Sequence, residues 1–244
     1  MLKNNLNVII IAVAVVISSY LFSNAFQNRN KSNDTISVTG SGKKDFVSDL
    51  IVWSGSFSKK SMTLKEAYAA LDSDREKIKS YLSSKGIAPK EMVFSAVNFN
   101  KDFETTYNEN GTTRQQIFTG FNLTQSVSIQ SKEVNKIEEL SRQSSELINS
   151  GVEFYSSPPE YYYTKLAELK IKMIAEATKD ASIRAKSIAE NADASLGNLK
   201  KSDVGVFQIV GQNSSEDFSY GGSFNTQSKN KTANITVRLV YQVN

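Results

Sequence analysis

The sequence predicts an α+β protein in which an N-terminal transmembrane or signal helix precedes a body of order β-β-α-β-β-α-β-α-β-β, with a mixed sheet. Alternating β-branched residues predict the strands, and apolar residues at three-and-four spacing predict the helices. An unbroken apolar run over 8–17 predicts the leading helix. We divide the chain into a membrane segment at 1–26, a polar tether at 27–35 and a body at 36–244, with sub-units at 36–157 and 158–244.

The leading segment has two interpretations. As a helix, residues 6–26 would be about 31 Å long at roughly 1.5 Å per residue, enough to cross the hydrocarbon core of a bilayer. With Lys3 before the run and Ser23-Asn24-Ala25 near its end, the segment also fits a cleaved secretory signal. The body is then anchored in the inner membrane of the cell envelope and lies outside the cytoplasm, or is periplasmic or secreted. The residues expected in the bilayer are Leu6, Val8, Ile9, Ile10, Ile11, Val13, Val15, Val16, Ile17, Leu21 and Phe22.

In the first half of the body the sequence alternates between strand and helix periods. Residues 36–42 and 50–57 alternate as strands, and 63–85 has helical spacing that ends at Gly86. A hairpin of 92–100 and 115–129 follows, and then a helix at 132–150 that Gly151 ends. Residues 152–155 form a short strand, and Pro158-Pro159 interrupts the chain.

The second half contains the longest helix, at 163–191, followed by strands at 204–210 and 233–243. Alanine recurs in this helix at four-residue spacing, which builds a smooth ridge that another backbone can approach closely. The favoured interpretation is packing against the sheet of the same chain, and the alternative is a contact between subunits. The ridge consists of Ala177, Ala181, Ala185 and Ala189.

Composition excludes several function classes. The chain has no cysteine and no histidine, so disulfides, thiol nucleophiles, Ser-His-Asp triads and the usual zinc sites are absent. The net charge of +4 is dispersed, which argues against nucleic acid as a partner. Helical i,i+4 pairs and solvated faces explain the candidate acids. We therefore predict no enzyme, cofactor, metal or small-molecule substrate; the acids weighed are Asp72, Asp74, Glu138, Glu139, Asp180 and Glu190.

A Gly/Ser/Asn-rich loop at 211–229 carries three aromatic residues, Phe218, Tyr220 and Phe224. One interpretation is a mobile insertion between two strands. The other is that the aromatic residues dock a neighbouring subunit or another partner.

The C-terminal third resembles the SIMPL family of bacterial periplasmic immunogenic and oxidative-stress-associated proteins. The matching residues are AEATKDA at 175–181, RAKSIA at 184–189, Leu196-Gly197, GVFQI at 205–209 and ITVRLV at 235–240. At the other end, ISVTGSG at 36–42 resembles the opening strand of the family, with Asp49 before the second strand. Residues 191–194 depart from the family pattern, which commonly has a glycine there. The resemblance implies an exported α+β domain that assembles into homo-oligomers and has no established reaction.

These observations favour an exported, membrane-anchored, non-enzymatic protein that self-associates, with a link to envelope or oxidative-stress defence. The alternative is a monomeric binding module for an envelope partner or ligand, which would use the aromatic loop. A third class, a hydrolase that uses carboxylates alone, would require an apolar pocket that holds two acids close together.

Overall fold

The body consists of two antiparallel β-sheets, each covered by helices on one face. The structure is a computed structural model that describes residues 2–31, 34–107, 111, 113–217 and 219–243, without the side chains of 2–9, 27–31, 113 and 114. The first strand of the body pairs with the last, so one of the two sheets contains both ends of the body.

The leading helix, α1 (Leu2–Lys31), precedes the body. Every residue from Ile10 to Phe26 is exposed. The predicted membrane residues Leu6, Val8 and Ile9 lie outside the described side chains. Among the residues that the structure describes, no helix is long and apolar enough to cross a bilayer. The predicted tether is wrong at 27–31, because the helix continues to Lys31.

The first sheet contains both ends of the body. Strand β1 (Thr35–Val47) pairs with β10 (Asn230–Val243) along its whole length, from Thr35 opposite Gln242 to Val47 opposite Asn230. On the other side of β10 lie β8 (Leu196–Val204) and β9 (Gln208–Gly211). Helix α4 (Leu166–Asn191) covers one face of this sheet.

The second sheet is built around β2 (Leu50–Ser61) and β5 (Thr113–Ser131). Beside β5 lie β3 (Met92–Phe94) and β4 (Asn98–Tyr107), and beside β2 lie β6 (Phe154–Ser156) and β7 (Glu160–Tyr162). Helices α2 (Leu64–Ser84) and α3 (Val134–Gln143) cover its inner face, with 3-10 turns at Pro89–Glu91 and Ser144–Ser150. The core between them includes Trp53, Phe57, Ile78, Leu82, Ile129 and Ile137.

Local sequence explains where the helices of the second sheet begin and end. The Thr63 hydroxyl accepts a hydrogen bond from the Glu66 N–H at 3.3 Å and caps α2. Gly86 follows α2 with a φ of 79°, and Gly151 follows the 3-10 turn after α3 with a φ of 73°. Both values lie in the left-handed region where glycine is favoured, so both glycines end helices as predicted.

The structure confirms the α+β class and corrects its details. The strand pairs of the described residues are antiparallel, apart from one isolated parallel bridge between Ile209 and Phe224, so the expected mixed sheet is wrong. The strand expected at 204–210 is divided between β8 and β9, which are separated by 205–207. The sheets also do not divide at residue 157, because β1 lies in the C-terminal sheet.

The packing of α4 on β1 leaves no space between the two backbones. A Cβ added at Gly40 would overlap the Ala177 carbonyl oxygen and lie 2.8 Å from the Ala181 Cα, and one at Gly42 would lie 2.7 Å from the Met173 carbonyl oxygen. The alanines that face this strand are fully buried. Glycine on the strand and alanine on the helix are therefore a steric requirement of this contact.

We predict that Gly40→Ala lowers the free energy of unfolding by about 3 kcal/mol or more, because the added methyl group meets backbone atoms that cannot rotate away. The matched control is Gly221→Ala, whose Cβ would have no neighbour closer than 4.0 Å and which should change stability by less than about 0.5 kcal/mol. Urea unfolding followed by far-UV circular dichroism measures both. Equal urea midpoints for Gly40→Ala and the wild type would show that the contact is looser than described.

Candidate functional site

The aromatic loop connects β9 to β10 through residues 212–229. Tyr220 is fully exposed, whereas Phe224 is half-exposed and its ring lies 6.4 Å from that of Tyr162. Phe218 lies outside the described residues. The structure thus presents one predicted aromatic side chain to solvent and packs another against β7.

Hydrogen bonds from the buried Gln208 and the exposed Glu216 hold this loop in a defined conformation. The Gln208 amide donates to the Ser219 carbonyl at 2.7 Å, and its oxygen accepts from the Ser223 N–H and hydroxyl, both at 2.8 Å. The Glu216 carboxylate accepts from the Gly211 N–H at 3.2 Å and from the Asn225 side-chain amide. A loop held by such hydrogen bonds is ordered, in contrast to a structureless insertion, and Tyr220 is part of this ordered loop.

Lys231, at the start of β10, is 1% exposed and lies beneath the loop. Its ammonium group donates to the Asn225 carbonyl at 2.5 Å, which connects the sheet to the loop. Burial lowers the pKa of Lys231 to about 8, and the negative charge of Glu216 opposes that decrease. The conformation of the loop therefore depends on a cation that the protein interior destabilises.

An open groove of about 440 Å³ lies between Tyr220 and the face of β10. Its surface combines apolar side chains with a few polar groups, which is the usual composition of small-ligand and side-chain pockets. The residues that line it are Val206, Gln208, Ser219, Tyr220, Asn234, Ile235 and Thr236.

The alanine ridge lies inside the chain. Ala177, Ala181, Ala185 and Ala189 are all at most 1% exposed, and the first three pack in the core between α4 and the first sheet. Their proposed role as an interface between subunits is therefore corrected, because no ridge surface remains for a second chain. The favoured alternative, packing on the sheet of the same chain, is what the structure shows.

The candidate acids are engaged with nearby cations or hydrogen-bond donors. Asp74 is buried 2.9 Å from the Lys59 ammonium and 3.1 Å from that of Lys77. The backbone N–H of Ser41 and the Arg184 guanidinium lower the pKa of Asp180. Further contacts join Asp72 to Arg75, Glu138 to Lys229, Glu139 to Gln143 and Glu190 to Lys186.

The described residues contain no group of three or more acids close enough to hold a metal ion. Two open grooves, one lined by Asp49 and Glu133 and the other by Glu91 and Glu133, are also lined by Lys132. An open groove with a cation in its wall is unlike the apolar pocket around two acids that a carboxylate hydrolase would require.

Our sequence interpretation missed the two residues that organise the loop, Gln208 and Lys231. A signal for the lysine was present. In β10, residues 231, 233, 235, 237 and 239 alternate inward, so Lys231 shares the buried face with Ala233 and Ile235. No comparable pattern pointed to Gln208, because its role depends on a loop that closes over it.

The buried lysine predicts a pH dependence of stability. Its pKa is about 8 in the folded protein and has the ordinary value of 10.5 in the unfolded chain. Between these values the unfolded state binds more protons than the folded state, so the lysine makes the free energy of unfolding rise from pH 8 to 10.5. Below pH 8 the lysine is charged in both states, and the destabilisation caused by its burial does not change with pH. The total rise is on the order of 1 to 3 kcal/mol.

Lys231→Met should remove this rise, which urea unfolding at pH 7, 8, 9 and 10 would measure. Lys179→Met, at an exposed position on α4, is the control and should keep the wild-type slope. The same slope in Lys231→Met and the wild type would mean that the lysine ionises normally.

Comparison with known proteins assigns the body to a family. The family model SIMPL, described as a protein of unknown function (DUF541), matches residues 36–241, from the first residues of β1 almost to the end of β10. None of the curated proteins matches the chain. Since the family model spans both sheets and all of the body helices, the chain belongs to the SIMPL family.

Proposed function

We propose that this SIMPL-family protein is a non-enzymatic component of the bacterial cell envelope, held in the inner membrane by α1 and self-associating through its body. Proteins of the family are generally extracellular or periplasmic. The observation that carries the proposal is the uniform exposure of the apolar residues of α1. A part in envelope or oxidative-stress defence belongs to the same proposal and is supported only by the family resemblance.

The membrane part of the proposal follows from how apolar side chains surround α1. A helix that packs on a protein surface has one apolar face, whereas a helix that is apolar on all sides is buried in protein or lipid. Burying each large apolar side chain contributes about 1.5 to 3 kcal/mol, so moving the whole set into lipid is favourable by on the order of 15 kcal/mol. The exposed set is Ile10, Ile11, Val13, Val15, Val16, Ile17, Tyr20, Leu21, Phe22 and Phe26.

The self-association part is supported by the aromatic loop. Tyrosine contributes large contact area at low entropic cost, and residues of this type are frequent at the centres of interfaces. The hydrogen bonds of Gln208 and Glu216 already order the loop, so little conformational entropy is lost when Tyr220 docks. The engaged carboxylates support the absence of catalysis.

A second candidate function is a monomeric binding module. The groove of about 440 Å³ beside Tyr220 supports it, because the groove is large enough for a small ligand or for one side chain of a partner. The mass of the protein in solution distinguishes this candidate from the self-associating one.

We predict that changing Val13 and Val16 together to lysine moves the protein out of the membrane fraction, since each charge at the centre of a bilayer costs about 3 kcal/mol. The matched control changes Val93 and Val204, two exposed valines of the body, to lysine and should leave the protein in membranes. Carbonate extraction followed by immunoblotting measures the distribution. The mass of the mature protein, compared with that of the full chain, shows whether the leading segment is retained as an anchor or removed as a signal. Recovery of the full-length wild type in the cytosol would refute the anchoring.

We also predict that Tyr220→Ser weakens self-association more than tenfold, because an exposed aromatic anchor is lost without a change inside the fold. Tyr155→Ser, at an exposed position on β6, is the control and should keep the wild-type mass. Light scattering of the full chain in detergent over a range of concentrations measures both. A wild type that is monomeric throughout would favour the binding-module function.

A further inference from the structure

Strands β4 and β5 continue beyond the rest of the second sheet as a two-stranded arm. The pairing of β2 with β5 ends at Ser61 opposite Phe121, whereas β4 and β5 pair with each other as far as Tyr107 and Thr113. Among the described residues, β5 is the one strand that pairs with β4, so the other edge of β4 is free. The arm consists of residues 101–107 and 113–120.

Lys60 of β2 fixes the base of the arm. Its ammonium group lies 3.0 Å from the Asp102 carboxylate and donates to the Thr119 hydroxyl at 3.0 Å. Within the arm, the rings of Phe103 and Phe118 meet edge to face, with their centroids 5.7 Å apart. A ribbon of two strands is marginally stable in water, whereas three or more strands with an apolar face are stable. The arm is therefore held at its base and would gain stability from further strands.

Three aromatic residues of β4 share one face of the arm. Phe99, Phe103 and Tyr107 are 56%, 52% and 64% exposed. They are spaced by four residues, and the extra residues at both irregularities of the β4–β5 pair lie on β5, so β4 itself alternates regularly. If β4 pairs antiparallel with a second β4, one register places all three opposite aromatic residues. In that register Phe103 lies opposite its own copy, and Phe99 lies opposite Tyr107.

The charges of β4 favour the same register. Centring the pair on Lys101, Asp102 or Glu104 would place that charge directly opposite itself, which is destabilising. Centring it on Phe103 leaves one unfavourable pair, with Asp102 opposite Glu104 of the second copy. The half-exposed Lys60 ammonium, already in contact with Asp102, lies beside this pair and offsets the repulsion. The sequence of β4 is thus complementary to itself in one register.

We propose that the free edge of β4 pairs antiparallel with the same edge of a second copy of this chain, with Phe103 at the two-fold axis. Main-chain hydrogen bonds join the two edges, and the aromatic pairs determine the register. The two arms then form a four-stranded ribbon, and both copies use the same surface, as in most homodimers. The inference rests on the proposed self-association and assigns to it a surface other than the aromatic loop.

Single cysteines test the pairing directly, because the chain has no cysteine of its own. Residues directly opposite in an antiparallel pair have Cβ atoms about 4.5 to 5.5 Å apart, close to the roughly 4 Å that a disulfide needs. Under mild oxidation in detergent, the full chain with Phe103→Cys should form a disulfide-linked dimer on a non-reducing gel. Lys101→Cys, on the same face of β4, is the matched control and should stay unlinked, because its two copies would lie roughly 14 Å apart.

A mixing experiment tests the register. Phe99→Cys and Tyr107→Cys should each stay unlinked alone, because the register places either residue roughly 27 Å from its own copy. When the two variants are mixed, they should form a disulfide-linked mixed dimer, which an affinity tag on one of them identifies by mass. Linkage of either variant alone, with none in the mixture, would overturn the register centred on Phe103.

Light scattering over a range of concentrations separates this inference from the proposed function. Phe103→Lys should raise the concentration needed for self-association at least about tenfold, because two ammonium groups would meet at the axis. Val93→Lys, at an exposed position on β3, is the control and should associate as the wild type does.

The outcomes distinguish failure of the pairing from failure of the proposed function. A wild type that associates, with no disulfide at Phe103→Cys or with equal linkage at Lys101→Cys, would overturn the β4 pairing and leave self-association intact. A wild type that is monomeric throughout would overturn both. Linkage through Phe103→Cys that persists when Tyr220→Ser is added would support a contact separate from the aromatic loop.

Discussion

The close approach of α4 to β1 is the constraint on which the rest of the body depends. Glycine at 40 and 42 lets the helix backbone lie directly on the strand, and the small side chains of alanine at 177 and 181 keep the distance between the two backbones short. This contact fixes β1 beneath the helix, and the thirteen paired positions of β1 and β10 then fix the last strand. A contact between two segments about 140 residues apart in sequence therefore determines the edge of one sheet and the position of both ends of the body.

The short turn after β1 connects the first sheet directly to β2 of the second sheet. Only two residues, Ser48 and Asp49, lie between the end of β1 at Val47 and the start of β2 at Leu50, so this turn holds the two sheets close together. Hydrogen bonds reinforce the junction: Asp49 accepts from Thr164, and Lys229 contacts Glu138 of α3. The Lys229 ammonium holds the pKa of Glu138 below its ordinary value, which keeps the contact charged. The junction is thus polar, unlike the apolar cores on either side.

Local signals in the sequence were sufficient for most elements but not for their arrangement. Periodicity and terminal glycines located α2 and α3, and the four-residue alanine spacing indicated close packing of α4. The strand at 196–204 was missed because LGNLKKSDV is polar and its residues are mostly exposed, so it lacks the alternation that burial on one face imposes. The pairing of β1 with β10 was also inaccessible, since no local pattern specifies which strands meet. In the candidate site, the exposed aromatic residue was predicted, whereas the buried Gln208 and Lys231 that order its loop depend on tertiary contacts.

The topology also determines at which end of the first sheet the aromatic loop lies. Strand β1 runs from the end near α1 to the β1–β2 turn, and β10 returns along it, so the loop that joins β9 to β10 leaves and re-enters the sheet at the end far from α1. Measured along the β1–β10 pair, that end lies about 40 Å from the start of β1 at roughly 3.3 Å per residue. The aromatic loop therefore leaves the first sheet at the end opposite to the start of the body, and the hydrogen-bond register of β1 on β10 is the physical reason.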